Sequence, residues 1–385
     1  MRVTISVGGK FHAFHLAKAL EEKDYLDTIF TSYPWYCLKD TGVSKERVKS
    51  LVIKEALERG LYRIPRVMTG SMVSHYINNI FDWQVARRIR ACDIFVGWSC
   101  FSLYTLRKIR RLSPSKVIIE RGSCHIETQQ SILKEEGERL GIKTGLPCRA
   151  IVEKELREYE EADCIFVPSS LAKNSFVDRN VPADKVVQVA LGVDTQRFRP
   201  IPKDDRKFRI IFIGLSIVKG LHYFLQAIDE LKIKDMEVWL IGGINEDIKP
   251  FLSKYSSSFR HLGIIPHREL YKYYSQGSLF VNFSLEDGFA LALLEAMACG
   301  LPVICTDNTG AKDIVRDGVD GYILPTQDVE ALKEKIAYFY QNQNRAREMG
   351  EQARLGVESN FTWGHYGQRV IRAYDNVLKP NKENG

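Results

Sequence analysis

Two carboxylates, Asp287 and Glu295, stand eight residues apart in the segment SLEDGFALALLEAMACGLPVICTDNTG (residues 284–310). A short apolar run, LFVNFS (279–284), precedes them, and a helical run, FALALLEAMA, follows the Asp287–Gly288 pair. At about 3.6 residues per turn, one acid sits at the helix start and the other about two turns inside. A helix N-terminus presents unpaired N–H groups and partial positive charge, which suits an anionic or polyhydroxylated ligand. Two carboxylates bracketing it can accept hydrogen bonds from hydroxyl pairs, one on a sugar and one on a ribose. Asp287 also fits a plain helix cap. Glu295, set among Leu293, Leu294, Ala296, Met297 and Ala298, needs a partner.

Other candidates lie in the first half of the chain. Gly8 and Gly9 directly follow the strand candidate VTISV and give a ligand room to approach the main chain. The segment ERGSCHIETQ (120–129) packs Glu120, Arg121, Ser123 and His125 into one loop after a strand. His12 and His15 belong to the start of a first helix and are expected on its solvated face; His267 is assigned no role. There is no Asp-x-Asp, no GxGxxG after a strand, no GxxxxGK[ST] and no HExxH. The metal–diphosphate clamp, NAD binding, P-loop chemistry and zinc hydrolysis therefore lose their usual signatures. No metal and no cofactor are expected.

These residues must be positioned by a repeating β–α chain. Apolar strand candidates such as 3–7, 93–98, 116–120, 164–169, 208–214, 237–243, 279–284 and 302–306 alternate with helical patterns such as 221–231 and 329–340. Continuous apolar strands between helices indicate parallel sheets covered on both faces. The pattern stops at VDTQRFRPIPKDDRK (193–207), which is polar, holds two prolines and has no period. The expected architecture is α/β: two doubly wound, Rossmann-like domains, 1–195 and 205–360, facing each other across a cleft. An amphipathic helix, 361–378, crosses back to the first domain. Ligands in such sheets bind beyond the carboxyl ends of the strands.

Length and composition agree with this. A chain of 385 residues with 45% hydrophobic and 27% charged residues is ordinary for two globular domains. No window approaches ~18 uninterrupted apolar residues, so no membrane-spanning helix is expected. Met1 leads almost directly into a strand, which reads as no signal peptide. The eight cysteines show no paired spacing and read as small core residues of a reduced, cytoplasmic protein. Residues 1–150 hold 25 Lys and Arg against 15 Asp and Glu, a net +10, whereas the rest of the chain carries −3. Such asymmetry points to an anionic partner. Basic residues concentrate in VARRIRA (85–91) and LRKIRRLSPSK (106–116), which suggests peripheral contact with an anionic membrane or binding of an anionic acceptor.

The 284–310 segment resembles the signature of the family 4 retaining glycosyltransferases (glycosyl transferases group 1). Their pattern is E-x7-E within E-G-F-G-L-x-L-L-E-A-M-A-C-G-x-P-V-I. Further stretches match in order: EYEEADCIFVPSSLAKNSF (158–176), VALGVDTQRF (189–198), FIGLSIVKGL (213–221), DGVDGYILP (317–325) and a late FTW helix. The likeness covers nearly all of residues 160–380 and is looser before 120. It implies the two-domain GT-B fold and a nucleotide-sugar donor site. Glu295 would bind the donor ribose; Asp287 would contact the sugar, with the amides of Gly288, Phe289, Ala290 and Leu291 nearby. Lys219 would neutralise the diphosphate beside Gly214, and Gly8 and Gly9 would let it approach.

The chain departs from the family pattern at four points. Asp287 stands where the family has Glu, Leu215 replaces the usual diphosphate-binding Arg, and the Gly214–Lys219 loop is one residue short. TGAKD (309–313) replaces the commoner GGxxE. Arg121 is a candidate for the missing cation, and His125 resembles the His that members present to donor and acceptor. The expectation is a retaining, metal-independent transferase moving a sugar from a nucleotide diphosphate sugar to an acceptor hydroxyl. The acceptor would be a saccharide or lipid-linked glycan in cell-surface polysaccharide or glycoconjugate synthesis. Nucleic acid is not expected as a partner. A sugar-nucleotide epimerase or phosphorylase, or a non-catalytic partner subunit, are the alternatives.

Overall fold

The computed structural model describes residues 1–61 and 71–379. The first strands, β1 (Val3–Val7), β2 (Leu26–Thr31), β3 (Val48–Ser50), β4 (Ile94–Trp98), β5 (Lys116–Glu120), β6 (Cys164–Val167) and β7 (Val186–Gln188), form one sheet. Its order is β3-β2-β1-β4-β5-β6-β7, with every neighbouring pair parallel. Both central strands, β1 and β4, are buried along their whole length, as continuous apolar runs require. The crossover helices are α1 (Ala13–Glu21), α2 (Ile53–Leu61), α3 (Ser71–Ala86), α4 (Leu103–Leu112), α5 (Ile126–Leu140), α6 (Arg149–Glu161) and α7 (Ser170–Val177).

The second sheet takes β8 (Phe208–Leu215), β9 (Met236–Ile244), β10 (Arg260–His261), β11 (Leu279–Asn282), β12 (Val303–Thr306) and β13 (Gly321–Leu324). They are parallel in the order β10-β9-β8-β11-β12-β13. Helices α8 (Leu221–Leu231), α9 (Lys249–Lys254), α10 (Leu270–Tyr274), α11 (Leu291–Ala298), α12 (Val329–Gln341) and α13 (Gln343–Asn360) accompany them. Strand order reverses between β1 and β4 in one sheet and between β8 and β11 in the other. Such switch points open crevices at the strands' carboxyl ends.

The chain crosses between the domains twice, side by side. The Val193 N–H donates to the Phe361 carbonyl at 2.8 Å, and Arg369 donates to the carbonyls of Ala190 and Leu191, each at 3.1 Å. The last helix, α14 (Trp363–Leu378), then returns to the first domain, where it buries Tyr366, Val370 and Tyr374 and packs on α1. The His15 ring stacks on Trp363 at 3.7 Å.

The basic helix α4 is less available than its sequence suggests. Leu103, Leu106 and Ile109 are buried, and two of its cations are engaged. Arg107 pairs with Glu161, and Arg110 reaches Asp163 at 3.3 Å. Among the described residues, no helix is long and apolar enough to cross a membrane.

Candidate active site

The site begins where β8 ends. Gly214 turns with φ +91, and the chain then runs through Leu215, buried in the core, to Lys219 and Gly220. Gly220 has φ +67, and a Cβ there would run into the Phe283 carbonyl oxygen. Only glycine meets both demands. The loop is thereby laid against the end of β11, and Lys219 Nζ comes within 2.6 Å of Asp287 Oδ2.

Asp287 does three things at once. Besides holding Lys219, its Oδ1 accepts the N–H groups of Ala290 (2.9 Å) and Phe289 (3.4 Å), which fixes the turn leading into α11. Its own carbonyl accepts the Gly310 N–H at 2.8 Å. The amides of Phe289 and Ala290, expected to face a ligand, are therefore taken by Asp287, and the Phe289 side chain is buried in the core. Burial disfavours charge on both members of the Lys219–Asp287 pair, but their attraction outweighs it. The pKa of Lys219 is raised and that of Asp287 lowered.

Glu295 lies about one turn into α11 and is 7% exposed. The partner its apolar setting demanded is double: His267 Nε2 at 2.6 Å from Oε1 and the Tyr274 hydroxyl at 3.1 Å from Oε2. Both oxygens keep a lone pair for a ligand hydroxyl. His267, assigned no role above, is thus fixed beside this carboxylate. Its hydrogen bond to Glu295 raises its pKa against the opposing effect of burial, while the positive charges of Arg197 and Lys10 also push it down.

The first-domain candidates divide. Gly9 accepts from the Thr31 hydroxyl at 2.8 Å and Gly8 from Ser32 at 3.1 Å, which holds their loop still. The space above Gly8 is filled by the Phe101 ring, so packing already accounts for that glycine. His12 is buried against Trp98 and Tyr366, 3.5 Å from Glu120, and is not on a solvated face as expected. His15 is exposed.

Two expectations for the 120–129 loop need correction. Arg121 is not a free cation: it pairs with Glu155 at 3.0 Å and donates to the Cys124 carbonyl and to Gln129. Burial opposes its charge, and Glu155 more than restores it, so its pKa is raised. His125 caps α5 by accepting the Glu127 N–H on Nδ1, with its ring packed between Tyr159 and Phe176. Burial, with Arg179 and Arg121 nearby, lowers its pKa to about 4. The ring is turned into the first domain's core, which removes the geometric basis for a catalytic role.

The same loop nevertheless touches the site through its backbone. Gly288 lies so close to the Gly122 carbonyl that a Cβ would not fit. Lys219, Asp287, Glu295 and the start of α11 thus form one surface, closed on one side by residues 122–124. It offers a half-buried cation, a helix N-terminus and a carboxylate held for hydroxyls, a set suited to an anionic, hydroxyl-bearing ligand. A cavity of about 630 Å³ lies elsewhere, between α5 and the ends of β12 and β13, lined by Glu136, Arg139, Asn308, Lys312 and Gln327 among others. Among the described residues, no cluster of His, Cys, Asp and Glu is arranged to hold a metal ion.

Two doubly wound parallel domains with a returning C-terminal helix define the GT-B class. The solved structure of sucrose-phosphate synthase from Thermosynechococcus elongatus has the same fold, with a TM-score of 0.74 over 98% of this chain and 99% of that one at 18% identity. Residues 193–356, which hold all of the second-domain candidates, match the family model of the glycosyl transferases group 1. Over that segment the chain is similar to the family. It is 27% identical over 244 residues to O-antigen chain mannosyltransferase B of Escherichia coli, covering 58% of this chain and 63% of that protein. It is 26% identical over 239 residues to the GDP-mannose-dependent alpha-(1-6)-phosphatidylinositol monomannoside mannosyltransferase of Mycolicibacterium smegmatis, covering 54% and 61%. The matches span about three-fifths of the length of these curated relatives.

Proposed function

We propose that this protein is a retaining glycosyltransferase that moves a sugar from a nucleotide diphosphate sugar to an acceptor hydroxyl without a metal. The observation that carries this is the Lys219–Asp287 pair just before the N-terminus of α11, with Glu295 about one turn into that helix. Glu295 binds the ribose hydroxyls. Asp287 orients Lys219 and accepts from the sugar, and Lys219 faces the diphosphate. As the bond from the anomeric carbon to the phosphate oxygen breaks, charge develops on the leaving diphosphate, and a fixed cation and helix N-terminus stabilise it. The acceptor oxygen bonds the anomeric carbon on the same face, and its proton passes to the leaving phosphate. No protein nucleophile is involved.

The acceptor is a saccharide or lipid-linked glycan. The relatives' names support this class: one acts on an O-antigen chain and the other on a phosphatidylinositol mannoside. Incubation with UDP-, GDP- and ADP-sugars, read by mass spectrometry, tests the proposal. Release or transfer of the sugar from one of them is expected. Interconversion of the sugar with no acceptor would instead identify an epimerase, and no nucleotide-sugar binding at all would identify a non-catalytic subunit.

Contact with an anionic membrane belongs to the same reading. It rests on α3, whose exposed Met72, Tyr76 and Trp83 share one helix face, with Arg87 stacked on Trp83. Arg88, just past α3, is exposed, as are Lys108 and Arg111 of α4, which packs on α3, while Arg107 and Arg110 are engaged. Aromatic and basic side chains together suit a lipid headgroup layer. Co-sedimentation should require anionic vesicles, weaken with salt and fall in a Trp83→Ser, Arg87→Ser variant. Equal pelleting with neutral vesicles would refute it.

A further inference from the structure

Glu286, the residue before Asp287, joins the two domains. It belongs to the second domain's β11–α11 loop, yet it is 3% exposed because its carboxylate is inserted into the first-domain loop 120–129. It accepts from Ser123 Oγ at 2.9 Å, the Cys124 N–H at 3.0 Å and Gln129 Nε2 at 2.9 Å. Among the described residues it makes no salt bridge; the nearest link to a cation is indirect. Arg121 donates to Gln129 Oε1 at 3.1 Å, which forces the Gln129 amide to present its N–H groups to Glu286. Arg121 is in turn held by Glu155. A continuous chain of contacts therefore runs from Glu155 through Arg121 and Gln129 to Glu286. One residue on, Asp287 carries it to Lys219.

We infer that Glu286 is a positioning residue: it latches the first-domain loop onto the donor loop and holds the cleft closed. A buried carboxylate is tolerated only while its donors are present. When the domains part, water can replace them, so the contact is reversible, as a latch requires. Its burial depends on the closed arrangement, and closure also brings the Gly122 backbone against Gly288. The consequence for catalysis rests on the glycosyltransferase reading; the consequence for domain geometry does not.

The test uses the full chain with Glu286→Ala, Gln129→Ala and the exchange Glu286→Gln with Gln129→Glu. The exchange swaps acid and amide across the same contact. Small-angle scattering should show a larger radius of gyration for each alanine variant, and kcat should fall about tenfold or more. Affinity for nucleotide diphosphate, which rests on Lys219 and Glu295, should stay within about twofold of wild type. The exchange should restore both compactness and kcat. Wild-type scattering and kcat in Glu286→Ala would overturn the inference, as would an exchange variant no better than the single changes. Should Glu286→Ala fail to fold, Gln129→Ala, a half-buried position, carries the test. If the wild type transfers no sugar, the functional reading fails and the scattering result alone decides for or against the latch.

Discussion

Lys219 is paired with Asp287, and that pairing is what makes it useful. With Asp287 at 2.6 Å and a raised pKa, it is charged at any physiological pH and points in one direction, so little reorganisation is needed when a diphosphate arrives. The Glu295–His267 contact has a pH signature. The His267 pKa is raised in the fold, so its contribution is fully present below the ordinary value near 6.5 and is lost as pH rises through the folded value. Titration of the His267 ring by NMR should give a value above the ordinary one, and Glu295→Gln should return it downward; no change between the two would refute the pairing. At this scale the sequence exposed Asp287 and Glu295 because two acids at helical spacing in an apolar run demand an explanation. It concealed Glu286 and His267, whose partners are 163 and 28 residues away and become neighbours only in the fold.

The elements that present these residues depend on backbone more than on side-chain chemistry. Gly220 must be left-handed and must lie against the Phe283 carbonyl. A non-glycine residue forced into such a conformation costs about 1–3 kcal/mol before any clash. Gly220→Ala should therefore lower the melting temperature by several degrees and weaken nucleotide binding. Unchanged stability would show that the loop can relax. The βα alternation was legible because parallel strands buried on both faces read as uninterrupted apolar runs. Helix α13 was not read, because its buried positions are mostly small: Ala346, Met349, Gly350, Ala353 and Val357. The short strand β3, with one buried residue of three, gives no apolar run to see. Arg121 misled for a physical reason: its burial partner Glu155 lies on α6, and a sequence does not say which side of a loop faces a cleft.

Across the whole molecule, carboxylates at the domain boundary accept from the opposite domain. Glu136 of α5 receives His222 at 2.7 Å and Tyr223 at 2.8 Å, and Asp313 receives Ser170 and Gln188. Glu286 does the same beside the site. The two domains thus meet through hydrogen bonds to carboxylates, contacts that water could replace if the domains parted. With a lysine and a helix N-terminus proposed to face the diphosphate, and no Asp-x-Asp in the chain, turnover should be unchanged by EDTA; activity lost and regained only with Mg²⁺ or Mn²⁺ would count against this. The central claim is that the nucleotide diphosphate sits on Lys219 and Glu295. Isothermal titration of the wild type and of Glu295→Ala with UDP and GDP tests it most directly. Losing hydrogen bonds to a charged group costs ~1.5–3 kcal/mol, so the variant should bind the preferred nucleotide about tenfold to a hundredfold more weakly. Equal affinity in the two proteins would contradict the account.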